Sequence, residues 1–280
     1  MSTEPASTTD STETSPGFAT VVRAVVVMVR ARPSSLVPFL LAGLVGAAST
    51  LARIETPYPA SISPFGASGS LQIPIPLVPR LEPTVELAPT ILLGLRLEYA
   101  AALIGWQAAL AVVTAVAFAV GIWRVAPRMD GFVPPAARVG WLAVYVLVLQ
   151  SVLFGVIYVV RVHPTGGVVG TGILAALVAL LVGGALLLAP AAIVLGGDRP
   201  DAAVLESLAY AGSRPFSSAG LVLCLGILAT LFTGAATVVS GYPGLAAGTI
   251  ASVAVAGTAH AAAVASIYES VERNGPASDS

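Results

Sequence analysis

Chemistry-bearing side chains are few in this chain. The two histidines are His163 and His260, the one cysteine is Cys224, and the one asparagine is Asn274, in 280 residues. The zinc-protease HExxH, the nucleophile-elbow GxSxG, the phosphate-binding P-loop and the CxxC pair do not occur. The residues therefore assign no catalytic group, metal site or cofactor. His260 stands out because it is a titratable group inside a long apolar run, and lipid makes such groups costly to retain. Gly244, Gly248, Ser252 and Ala256 step by four toward it, forming a small-residue face for close helix packing. The commoner use of such a histidine is a hydrogen bond to a neighbouring helix. A proton relay or an intramembrane active site would need it to meet a second polar group, such as Ser151, Thr230 or Thr233. A single histidine without a nearby carboxylate or thiol makes a poor metal site. His260 is thus the ligand-binding candidate. His163 reads as a solvated residue of an outer turn, and Cys224 as a small apolar residue with no partner for an intramolecular disulfide. After His163 the turn carries Gly167, Gly170 and Gly172, but in the wrong order for a dinucleotide fingerprint, so no nucleotide is expected.

Those residues must be positioned by a chain that is 56% hydrophobic and only 10% charged, with a mean hydropathy of +0.92. Soluble domains carry about 25% charged residues, and this chain lacks the polar residues to cover a soluble surface. Several uncharged runs are long enough to cross a bilayer. A net charge of −1 gives no field to recruit nucleic acid. All 13 basic residues are arginine, which points to a GC-rich genome such as a halophile's.

The expected class is all-α: a polytopic transmembrane bundle of six spans. Residues 1–16 are polar and read as a disordered tail, without the basic start of a secretory signal. Residues 17–270 form one membrane domain, with spans at about 34–51, 99–122, 139–160, 171–195, 218–239 and 244–268. Residues 271–280 form a polar tail. Gly17 to Ala31 reads either as a helix lying in the interface, with Arg23 and Arg30 on one face, or as an extension of the first span. Pro33 favours the interfacial reading. Ala52 to Pro89 is proline-rich and cannot cross lipid, so it makes a long external first loop. Arg96 and Glu98 are two apart, do not face each other on a helix, and are expected to snorkel rather than pair. Trp123 and Trp141 fit an interfacial aromatic belt. Gly183 and Gly184 offer close approach in the fourth span. A second surface helix starts at Asp198-Arg199-Pro200-Asp201 and stops at Pro215.

Six spans divide the arginines nine to four. Arg23, Arg30, Arg32, Arg124, Arg128, Arg138, Arg199, Arg214 and Arg273 fall on one side, and Arg53, Arg80, Arg96 and Arg161 on the other. The richer side is cytoplasmic, as are both termini, in the plasma membrane. Arg32-Pro33-Ser34-Ser35 and Arg214-Pro215-Phe216-Ser217-Ser218 each lead into an outward span and suggest a distant duplication. Ala189-Pro190-Ala191-Ala192-Ile193-Val194, then Asp198, Glu206-Ser207 and Arg214-Pro215, resembles uncharacterised six-helix prokaryotic, including haloarchaeal, membrane proteins. These are akin to the membrane domain fused to some glycerophosphodiester phosphodiesterases. The resemblance implies the fold; in the fusions the phosphodiesterase chemistry belongs to a separate soluble barrel, so no enzyme activity is implied here.

The expected function is that of a non-enzymatic accessory, assembly or regulatory membrane subunit. Its partners are the lipid bilayer and another membrane protein, with no nucleic acid and no nucleotide. The alternative is a transporter for a lipid-like or uncharged substrate, which calls for a cavity near the midplane and a broken helix.

Overall fold

The computed structural model describes residues 23, 26–27, 29–56, 61–62, 78–83, 85–86, 94–162, 177–178, 180–235 and 241–274. The tail 1–16, the turn 163–172 with His163, the first residues of the expected fourth span and residues 275–280 lie outside them. The protein is helical: α1 (Leu36–Glu55), α2 (Leu97–Val125), α3 (Ala136–Val162), α5 (Pro200–Ser213), α6 (Pro215–Ala235) and α7 (Gly241–Asn274), with the shorter apolar helix α4 (Leu180–Gly196) between α3 and α5. Residues 23, 26–27 and 29–31 of the expected interfacial segment are also helical. A two-residue antiparallel tie joins β1 (Ser61–Ile62) to β2 (Val85–Glu86) within the first loop.

Among the described residues five helices are long and apolar enough to cross a membrane: Pro33–Glu55, Leu97–Val125, Ala136–Gly155, Pro215–Phe232 and Gly241–Glu272. These place the first, second, third, fifth and sixth expected spans on helices. Most of the helix ends lie two or more residues beyond the expected limits, as in Leu97–Val125 against 99–122, because helical geometry continues past the apolar run; α6 is described to Ala235. The largest extension is at the C-terminal end, where α7 continues to Asn274, into the first residues of the expected polar tail 271–280. Pro243 is tolerated in the first turn of α7, where its missing N–H has no helical partner.

α7 is the centre of the bundle, with 72% of its apolar window buried against 22% for α3 and 28% for α6. Its most extensive packing is against α1, followed by α6 and α2. Small residues permit this: a Cβ on Gly43 of α1 would come within 3.0 Å of the Ile250 backbone in α7. Gly244, Gly248 and Ser252 on the expected small-residue face are buried. In α4 a Cβ on Gly184 would meet Ser218 Oγ of α6 at 3.1 Å.

α4 bends at residues 187–188 and resumes as one α-helical and one wider turn. Pro190 causes the break, since it cannot donate to the Leu186 carbonyl one turn back. Tyr145 of α3 donates its hydroxyl to that carbonyl instead, at 3.3 Å. The Leu188 N–H in turn donates to Ser207 Oγ of α5, at 3.0 Å. Backbone groups freed by the proline thus find side-chain partners.

Candidate functional site

Two bundle ends differ in chemistry. One end gathers the start of α1, the close of α2, the start of α3, the close of α4, all of α5 and the close of α7. Here arginines serve as caps. Arg32 donates through Nη1 to the carbonyls of Arg124 (3.1 Å) and Ala126 (2.8 Å), closing α2. Arg138 donates through Nη1 to the carbonyls of Val194 (2.8 Å) and Leu195 (2.9 Å), closing α4. Cations at helix C-termini complement the helix dipole as well as the orphan carbonyls. Further guanidiniums lie over rings: Arg124 over Phe132 at 3.6 Å and Arg199 over Trp141 at 5.5 Å. Trp141 is partly exposed, as a belt residue would be. Trp123 is not; it is buried in the core beneath Arg138, whose Cζ is 5.5 Å from its ring, which corrects its place in the belt.

The two Arg-Pro-Ser segments make one local turn. Arg32 has φ −134 and ψ 70, and Arg214 has φ −139 and ψ 56. Ser35 Oγ donates to the Arg32 carbonyl at 2.8 Å, and Ser218 Oγ to the Arg214 carbonyl at 3.2 Å. Their guanidiniums diverge, Arg32 onto the end of α2 and Arg214 beside the Tyr210 ring.

Asp198 is not the cap of α5 that its spacing suggests. Arg199 occupies the cap position and makes no side-chain cap bond. The Asp198 carboxyl instead meets Glu206, whose pKa is raised by burial first, then by the charge of Asp198 and a hydrogen bond with it, then by Glu272. Glu272 also reaches Arg128 at 3.6 Å, an exposed pair of little energetic weight.

His260 is fully buried, its ring 4.9 Å from that of Phe118, and neither ring nitrogen has a hydrogen-bond partner among the described residues. The expected hydrogen bond to a neighbouring helix is therefore not made among the described residues. Ser151 and Thr230 donate to the carbonyls of Leu147 and Gly226 in their own helices, so neither meets His260. The side chain of Thr233 lies outside the described residues. No group of three His, Cys, Asp or Glu side chains at metal-binding distance occurs among the described residues.

At the opposite end lies a polar cluster that the residue pattern did not single out. Trp106 Nε1 of α2 donates to Ser49 Oγ of α1 at 2.6 Å, and Ser49 donates to Glu82 Oε1 at 2.5 Å. Arg53 Nε donates to the same Glu82 oxygen at 2.7 Å, with both side chains buried. Arg53 also lies 5.1 Å from the centre of the Trp106 ring. The remaining Arg53 nitrogens, Nη1 and Nη2, are buried without a hydrogen-bond partner among the described residues. The first loop brings Glu82 here by folding inward: Val78 and Leu81 are buried, and the Leu81 carbonyl occupies the space that a Cβ on Gly46 would take. Ser49 and Arg53 are four apart on α1, hence on one face, and that spacing was the available signal. Beside the cluster runs an open groove of about 550 Å³ between α1 and α2, lined by Val45, Ala48, Ser49, Ala52, Trp106 and Ala109 among others.

At the same end, Arg96 and Glu98 do form an ion pair, at 3.0 Å between exposed side chains. Arg96 is the residue before α2 begins, in extended backbone, so helical facing does not apply to it.

No family model, curated protein or solved structure matches the chain.

Proposed function

We propose that this is a six-span protein of the cell membrane, with both termini cytoplasmic, acting as a non-enzymatic accessory, assembly or regulatory subunit of a membrane assembly. One observation carries the reading: a set of polar side chains inside and at the inner end of the bundle donates to backbone carbonyls. Arg32 and Arg138 close helices, and Thr50, Thr114, Ser151, Thr230 and Thr258 each donate to a carbonyl one turn back in their own helix. A path for an ion or polar solute needs such groups turned toward a lumen. Binding then falls to the lateral faces, of which α3 and α6 leave the most surface uncovered.

The six-span count is supported by connectivity. α3 starts beside the arginine caps and runs away from them, while Val194 and Leu195 at the close of α4 are back beside Arg138. On this reading the shorter apolar helix α4 belongs to the returning span. The arginine-rich end is the cytoplasmic one by charge asymmetry. The wider resemblance to six-helix prokaryotic membrane proteins accords with this arrangement.

A transporter for a lipid-like or uncharged substrate is the second reading, favoured by the break of α4 at Pro190. Mild-detergent purification from the native membrane, followed by intact-complex mass spectrometry, separates the two. A stoichiometric protein partner is expected. Recovery of the chain alone, with uptake of an uncharged amphiphile in proteoliposomes, would overturn the subunit reading in favour of transport.

A further inference from the structure

The groove between α1 and α2 and the buried arginine behind it call for a ligand of particular chemistry. We propose that this groove is a binding site for a long-chain carboxylate amphiphile, its chain lying along the groove and its head meeting Arg53. The site would work alike in a subunit that retains such a ligand and in one that moves it.

The groove walls fit an alkyl chain. Val45, Leu110 and Val113 supply apolar surface, while Ala48, Ala52, Ala102 and Ala109 leave depth where larger residues would fill it. Its volume of about 550 Å³ falls within the roughly 300–1,000 Å³ typical of ligand pockets. Only Ser49 Oγ and the Trp106 indole bring polar atoms to the wall, and those two are already bonded to each other and to Glu82. The free donors stand one layer behind. Arg53 spends Nε on Glu82 and holds Nη1 and Nη2 buried and unpartnered among the described residues, against the ring of Trp106 that lines the groove. Buried donors left without acceptors are costly. A carboxylate presents two oxygens at the spacing of that guanidinium fork. Its slim planar head also suits an approach past alanines better than a branched phosphate headgroup does.

The pairing of Glu82 with Nε gives the arrangement its direction. It fixes the guanidinium in plane and leaves Nη1 and Nη2 as the donors without a partner among the described residues, buried beside the Trp106 ring. Ser49 holds Glu82 in place, and Trp106, which lines the groove, holds Ser49, so the ion pair is coupled to the groove wall.

The test uses the full chain in nanodiscs of phosphatidylcholine and reads quenching of Trp106 by 9,10-dibromostearate, since bromine quenches an indole it touches. Subtracting the signal of Trp106→Phe isolates this indole from the other two tryptophans. Quenching by the acid is expected to saturate and to be reversed by unbrominated stearate, whereas the methyl ester quenches only in proportion to its content. Ala109→Leu fills the groove and should abolish the saturating part. The double variant Arg53→Gln/Glu82→Gln, which leaves no lone charge, should weaken the midpoint by about tenfold or more, the loss of hydrogen bonds to a charged group. Circular dichroism and gel filtration check that each variant folds; Ala109→Leu tests the groove independently of the ion pair. Equal, unsaturating quenching by acid and ester would overturn the proposal. So would saturation by a brominated phospholipid but not by the acid, or an Ala109→Leu variant that binds like the parent.

Discussion

Phe39 offers a direct test of how three helices are locked together. Its buried ring from α1 enters a socket made by two glycines, Gly121 of α2 and Gly257 of α7, and meets Phe118 edge-on at 6.5 Å between ring centres. A Cβ at Gly257 would lie 2.5 Å from Phe39 Cδ1, closer than packed carbons can approach. Phe39→Ala costs about 3–5 kcal/mol in a water-soluble core, part of it transfer from water. Separated helices in a bilayer stay in lipid, so the transfer part drops out and the cavity part remains. At about 24 cal/mol per Å³, a hole of roughly 100–150 Å³ gives about 2.4–3.6 kcal/mol. Gly257→Ala alone forces the ring aside, at about 1–3 kcal/mol. With Phe39 already truncated, the same methyl enters vacant space and should cost close to nothing. The double variant should therefore be more stable than the sum of the singles by about 1–3 kcal/mol. Unfolding in bicelles, followed by tryptophan fluorescence and by steric trapping, measures all four corners of the cycle. Additivity to within about 0.5 kcal/mol would refute the socket.

Further expectations concern charge. Arg53→Gln alone leaves Glu82 buried without its cation and should destabilise by about 3–5 kcal/mol, while the double change to glutamines recovers much of that, as the same unfolding assay would show. Arg138→Ala should cost about 1–2 kcal/mol by uncapping α4, and Arg138→Lys should restore only part, since an ammonium is a compact point charge rather than a planar fork; hydrogen exchange at the last turn of α4 reports it. Glu206 carries a raised pKa in the folded protein, so its contribution favours the fold below the ordinary value of 4.5 and is lost as pH rises through the raised one. Glu206→Gln should stabilise the protein at neutral pH and flatten the pH dependence of thermal unfolding above 4.5; a variant that follows the parent's curve would contradict the clustering of Asp198, Glu206 and Glu272.

The spans were legible because lipid imposes a local rule: uncharged runs must be helical to satisfy their own backbone. The turns at Pro33 and Pro215 were legible for the same local reason, a proline stop followed by a serine that bonds one turn back. Pairings across the chain were not. Arg53 and Glu82 are 29 residues apart with an irregular loop between them, and Arg32 caps a helix that closes 92 residues later. Neither separation leaves a periodic trace, and an arginine at a span edge has the same look whether it snorkels into solvent or turns inward. Trp123 went astray likewise, since depth in lipid and depth in protein read alike in hydropathy. His260 was rightly placed on a packed small-residue face, but whether a neighbour offers it an acceptor depends on Phe118, 142 positions earlier in the chain.

The length of α7 has a mechanical consequence. Its 34 residues span about 51 Å at 1.5 Å per residue, against a hydrocarbon core of about 30 Å. Because α1, α2 and α6 all pack on it, it cannot tilt to suit a thinner or thicker bilayer without carrying them along. The protruding turns are also held: Gly196 and the Tyr268 side chain pack so closely that a Cβ on Gly196 would overlap the hydroxyl. Adjustment to membrane thickness is thus a rigid-body rotation of the bundle rather than a sliding of single helices, and α5, seated against that end, is the part that such a rotation would lift from or press into the headgroups.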